Sequence, residues 1–372
     1  MILSKNSFCL SLLLFFCLNF AYAQRPIFIN YTVDTTYALS NKALHFYINY
    51  LNDFKDDTLP EMSKYWSAED CKRYKIPDQM IYSLVGDYPT YNLSRNRSII
   101  YIRPDSNVIQ LKTHFYDVDT SGEIYTVCIT NHYVKVESDN NIYFINPLAV
   151  NGKLWQTKKR ENITFFFPAY HHFNASKADT LIQQIRHLEK DWALKPINIR
   201  YYFANTNEEL HKLKGFDYSS MMGNRDKPSG IADDKDNIVY CGGLGENYFH
   251  EVVHIYLNSL FPKSPLGEGI AVFYGGSMGK SLSWHSARLK AYLLNHPETN
   301  LNKLEEFRFM DSSTNPYYTI LGLLCETAYR KDGVKGLKRM MNYDSLDTLF
   351  EKEFGIKPEQ KNDFLRNLIN TF

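Results

Sequence analysis

Residues 250–254 read His250-Glu251-Val252-Val253-His254, two histidines four apart with a glutamate directly after the first. On a helix that spacing stacks both imidazoles on one face, where their ring nitrogens converge on a metal ion. Glu251 projects about 100° around the axis from His250, so its carboxylate reaches a water at the metal without being a ligand. The flanking residues Phe249, Val252, Val253, Ile255, Leu257 and Leu260 are apolar on nearly every side, which predicts a buried helix. Two imidazoles and a carboxylate in a core cost on the order of several kcal/mol unless something coordinates or pairs with them, and Zn²⁺ satisfies all three. This composition produces the pentapeptide pattern by chance about 0.02 times per chain, so the motif weighs heavily but needs a third ligand.

Glu268 supplies one. It lies 14 residues after His254, beyond a break marked by Pro262 and Pro265, and opens a second apolar stretch from Leu266 to Tyr274. Two histidines and one glutamate leave a fourth tetrahedral position for water, the donor set of a catalytic zinc, one ion per chain.

At these residues the sequence resembles the glutamate zincins (gluzincins), metallopeptidases with HExxH followed by a glutamate on the next helix. It is most similar to the peptidase MA-like proteins, whose Glu-Gly-x-Ala pattern matches Glu268-Gly269-Ile270-Ala271. The resemblance covers roughly residues 160–372. It implies His250, His254 and Glu268 as metal ligands, Glu251 as general base and a zincin-like fold for that part of the chain. It also implies an edge strand that aligns a peptide substrate by β-augmentation, here the stretch from Gly230, Ile231, Ala232 and Asp233 through Ile238, Val239 and Tyr240. An oxyanion donor completes such a site. Tyr318, whose spacing to Gly333 is similar to that of the aminopeptidase tyrosine, is the candidate, with Tyr317 and His285 as rivals. Gly267 stands where the aminopeptidases carry Asn, and no exopeptidase motif is present, which favours an endopeptidase.

A competing reading is a non-catalytic zinc-containing or ligand-binding envelope protein on a zincin scaffold, although retention of Glu251 argues for hydrolysis. Cleavage of a non-peptide amide or a cell-wall peptide uses the same residues. Lys plus Arg number 42 and Asp plus Glu 41, a net charge of +1, which offers no bulk attraction for nucleic acid. A peptide or protein substrate is the expected partner.

Elements must position these groups. Met1 to Ala23 combine Lys5, an apolar run from Phe8 to Phe20 and the small-x-small end Ala21-Tyr22-Ala23, the pattern of a cleaved secretory signal. The expected location is the periplasm or the exterior, with no transmembrane segment left after cleavage. Cys71, Cys128, Cys241 and Cys325 remain, too sparse for a disulfide scaffold but enough for one or two bridges.

The chain of 372 residues suggests two domains. Residues 24–158 read as a helix from Leu39 to Phe54 followed by strands at Ser98–Ile102, Val108–Tyr116, Glu123–Val136 and Asn141–Ile145, separated by turn clusters. This α+β order resembles nuclear-transport-factor-like or cystatin-like domains, a helix on an antiparallel sheet. His45, His114 and His132 are too dispersed to form a site. Lys158-Lys159-Arg160 reads as a solvated connector, which places the boundary near residue 158. Residues 159–372 read as α/β first, with strands at Ile163–Phe167, Ile197–Phe203 and Asn237–Tyr240 and helices at Ser176–Trp192 and Asn207–Leu213. They are helical from there to the C-terminus, with one helix from Tyr317 to Arg330 ending at Gly333.

Overall fold

The computed structural model describes residues 25–55, 58–86, 88–105, 108–138, 141–223 and 227–372. The proposed leader, Met1 to Ala23, lies outside the described residues. The chain is α+β, with two mixed sheets and a mostly helical C-terminal half. It divides into two units, and the boundary is not near residue 158. One unit comprises residues 1–73, 77–147 and 215–220, the other residues 74–76, 148–214 and 221–372.

The first unit contains β1 (Ile27–Ile29), α1 (Ala38–Asn52), α2 (Ala68–Arg73), β2 (Asn96–Asp105), β3 (Val108–Val118), β4 (Ile124–Ser138) and β5 (Asn141–Ile145). The strands neighbour one another in that order; β1 is parallel to β2 and the rest are antiparallel. Alternation of buried and half-buried residues along β3 marks a strand with one face on a core. That face meets α1, whose Ala43, Leu44, Tyr47, Tyr50 and Leu51 recur at helical spacing and are all buried. Asp78 is buried here and accepts the hydroxyls of Tyr50 (2.8 Å) and Tyr91 (2.7 Å). His132 lies 3.4 Å from the same carboxylate and is a core residue.

A short helix α3 (Pro147–Asn151) follows β5, and the second unit's sheet then begins with β6 (Trp155–Arg160). Lys158, Lys159 and Arg160 are therefore not a connector. They pair antiparallel with Phe165, Thr164 and Ile163 of β7 (Ile163–Pro168). β6 is the sheet's edge, where outward charges suit a strand that must not recruit another chain.

Helix α4 (Ala175–Trp192) crosses from β7 to the parallel β8 (Ile199–Ala204). Asn174 caps it by accepting the Lys177 amide at 3.1 Å, and Ala193 in the left-handed region ends it. Its stripe of Ala178, Leu181, Ile182, Ile185, Leu188 and Trp192 is buried; each large side chain there contributes about 1.5–3 kcal/mol. After α5 (Asn207–Lys214) the chain forms β9 (Phe216–Ser219), which belongs to the first unit. β9 pairs with Cys128–Thr130 of β4, on the strand whose later residues, Tyr133–Ser138, pair with β5.

The second sheet is completed by β10 (Ser229–Asp233) and β11 (Ile238–Gly242), in the order β10-β11-β8-β7-β6. β11 is parallel to β8, and β10 is an antiparallel edge strand on β11. Helices α6 (Phe249–Leu257), α7 (Gly267–Gly275), α8 (Leu282–Asn295), α9 (Pro316–Met341), α10 (Leu346–Phe354) and α11 (Lys361–Asn370) follow. α9 runs past the expected end at Arg330 but breaks its geometry at Gly333 (φ 60°, ψ −147°). Cys71, Cys128, Cys241 and Cys325 are free thiols, the last three of them buried. Among the described residues no helix is long and apolar enough to cross a membrane.

Candidate functional site

All nine residues of α6 are buried. Val252, Val253 and Ile255 are weak helix formers, so burial rather than propensity holds this helix. It ends at Leu257, which leaves Leu260 half-exposed outside it. Within it the four-residue spacing brings His250 Nε2 and His254 Nε2 to 3.2 Å. The first turn of α7 adds Glu268, with Oε2 at 3.5 Å from His250 Nε2 and Oε1 at 3.7 Å from His254 Nε2. The three ligand atoms lie within 4.8 Å of one another.

The other ring nitrogens are engaged. His250 Nδ1 donates to the Gly276 carbonyl at 2.7 Å, and His254 Nδ1 donates to Asn258 Oδ1 at 3.2 Å. These acceptors assign the tautomers and turn both Nε2 lone pairs inward. Two lone pairs and a carboxylate then face one another, an arrangement that repels unless a cation sits among them. Tetrahedral zinc with bonds of 2.0–2.1 Å separates its ligand atoms by about 3.3 Å, which the observed separations approach. The donor set fits zinc.

Burial disfavours charge on both His250 and Glu268, but the attraction between the two outweighs it. The His250 pKa rises and the Glu268 carboxyl is held below its ordinary range. Without a metal, a proton is the available substitute for the cation.

Glu251 is buried beside the pair, and burial pushes its carboxyl up, with the charges of His250 and His254 opposing. The backbone amide of Ala232 also opposes this rise. β10 comes this close because of Gly230: a Cβ there would sit 2.6 Å from Glu251 Cγ and 2.6 Å from the Tyr248 ring. Gly230, Ile231 and Ala232 line a cleft of about 490 Å³ together with His250, Glu251, His254, Glu268 and Tyr318.

The three oxyanion candidates separate. Tyr318, whose amide is held by the Asn315 cap of α9, lines this cleft. Tyr317 lines only the adjoining chamber beyond Glu268. His285 lines neither: its Nδ1 pairs with Thr314 Oγ1 at 3.1 Å and its Nε2 with the Ser277 carbonyl at 3.0 Å.

Sequence reasoning missed the groups that orient the ligands. Asn258 stands one turn after His254 and carries a readable signal in that spacing. Tyr248, whose ring stacks on His250 with centroids 5.6 Å apart, carries none. The Gly276 carbonyl is equally silent, since a backbone acceptor can come from any residue type. Its delivery depends on Gly275, where a Cβ would meet the His250 amide nitrogen at 2.4 Å. Gly275→Ala therefore forces α7 away from α6. We expect roughly 1–3 kcal/mol of lost stability and zinc affinity weakened about 10–100-fold, read by thermal unfolding and by competition with a chelating dye. Unchanged zinc affinity would show that Gly276 does not position His250.

No protein-family model, no curated protein and no solved structure matches this chain.

Proposed function

We propose that this protein is an exported zinc-dependent metallopeptidase, an endopeptidase acting on peptide or protein substrates. The observation that carries the reading is the convergence of His250 Nε2, His254 Nε2 and Glu268 with both Nδ1 atoms engaged, beside a buried Glu251 in an open cleft. His250, His254 and Glu268 would hold the ion, which when bound supplies Lewis-acid chemistry at a scissile carbonyl.

The protein's own groups do the rest. A peptide pairs with the free edge of β10, which fixes its backbone over α6. Glu251 takes a proton from the attacking water onto its carboxylate and returns it to the departing amine nitrogen. The Tyr318 hydroxyl donates to the oxygen that gains charge. The Glu268 side chain is 36 % exposed, so the third ligand still borders solvent, as turnover requires and a plugged scaffold would not.

An antiparallel edge strand beside the metal helix, followed by a helical half, supports a zincin-like fold for the second unit. α1 against β2, β3 and β4 supports a nuclear-transport-factor-like or cystatin-like first unit. Export rests on the leader pattern.

Elemental analysis tests the centre. Purified wild type should hold about one zinc per chain, lost in His254→Ala and Glu268→Ala. A wild type without tightly bound metal at neutral pH, indistinguishable from both variants, would reduce the motif to a buried structural helix and favour the binding-protein reading.

A further inference from the structure

The cleft continues past Glu268 into a second chamber of about 430 Å³, bordered by Asp234, Phe261, Pro265, Arg308, Tyr317 and Tyr318. Arg308 is the only lysine or arginine lining either chamber among the described residues. Its guanidinium stem is held twice: Nε donates to the Glu305 carbonyl at 3.0 Å, and the plane lies 5.1 Å from the Tyr317 ring centroid. Its two terminal nitrogens make no hydrogen bond or ion pair with any described residue. A guanidinium whose stem is anchored while its fork is open is preorganised for bidentate recognition of a carboxylate.

The strand sets which side of the substrate this carboxylate belongs to. Pro228 to Ala232 line the first chamber, and Asp234, just past the end of β10, lines the second. Antiparallel pairing is the more stable mode, and a peptide laid that way on β10 runs opposite to it. It therefore enters the second chamber with residues N-terminal to the scissile bond, so a side chain and not a chain terminus meets Arg308. Asp234 borders the same chamber but makes no ion pair with Arg308, so the fork is left open to a substrate acid.

We propose that the second chamber is a subsite for one aspartate or glutamate side chain on the N-terminal side of the scissile bond, with Arg308 as the specificity-determining residue. The inference rests on the peptidase reading for its substrate class, and its test separates the two.

Binding is measured by fluorescence anisotropy on the full chain carrying Glu251→Gln, so that no peptide is consumed. The probes are labelled peptides identical except for Glu, Gln or Lys at each of three successive positions, with free or amidated C-termini. At one position the Glu peptide should bind at least about tenfold tighter than the Gln peptide. Arg308→Gln on the same background should erase that difference while leaving the Gln peptide within about twofold, and Arg308→Glu should turn the preference to Lys.

Equal behaviour of the Glu and Gln peptides, including binding of neither, overturns the proposal. So does a loss in Arg308→Gln that is equal for both, or a preference that follows the free C-terminal carboxylate. If the difference persists but wild type cleaves no peptide, the peptidase reading fails and the carboxylate subsite stands. If wild type cleaves Glu and Gln peptides alike, the peptidase reading stands and the subsite fails.

Discussion

Glu251→Gln should keep its zinc and lose its turnover, with kcat down by about 10²–10⁴. Glutamine has the shape of glutamate and fills the same space against Gly230, so β10 and the ligands stay in place. What disappears is an atom that takes a proton and returns it. The site offers no replacement base, because Glu268 and both histidines are committed to one another and Glu251 is only 6 % exposed. Zinc content by elemental analysis, beside kcat on a cleaved peptide, reads both halves. Full activity in this variant would remove Glu251 from the base role.

Tyr318→Phe should lower kcat by about 10²–10³ while zinc content and KM stay near wild type, the behaviour of a donor used only when charge develops. Burial and the Glu268 charge push the Tyr318 hydroxyl up to about 12, with Arg308 opposing, so it carries its proton at neutral pH. Phenylalanine keeps the packing of the ring and deletes the donor. Tyr317→Phe is the control: its ring borders the second chamber only, and its kcat should stay within about fivefold of wild type. If the two variants exchange these effects, the oxyanion donor is Tyr317.

Much of the site is legible in the sequence. α6 announces itself because two histidines and a glutamate interrupt an otherwise apolar helix at the one spacing that gathers them. β3 is legible because its buried residues alternate with half-buried ones, which writes a period of two into the sequence. β6 reads as a linker because it is an edge strand whose lysines face water, which gives it a linker's polarity. β9 has only four residues, too few for a period to emerge. Gly269 is a middle case. The Glu-Gly-x-Ala pattern drew attention to it, but its physical reason lies in α9, where a Cβ on Gly269 would strike Leu321 side-chain and backbone atoms at 2.6–2.8 Å.

The return of β9 to β4 also sets a clock. Translation at about 5–20 residues per second separates the emergence of Thr130 from that of Ser219 by roughly 4–18 s. For that interval the Cys128–Thr130 stretch of β4 lacks the neighbour that β9 will provide. A nascent chain that stops anywhere before residue 216 leaves this edge open to another molecule. The first unit's sheet is thus completed only after β6, β7 and β8 of the second unit have been synthesised, and cutting the gene after residue 147 would remove the strand that pairs with Cys128–Thr130.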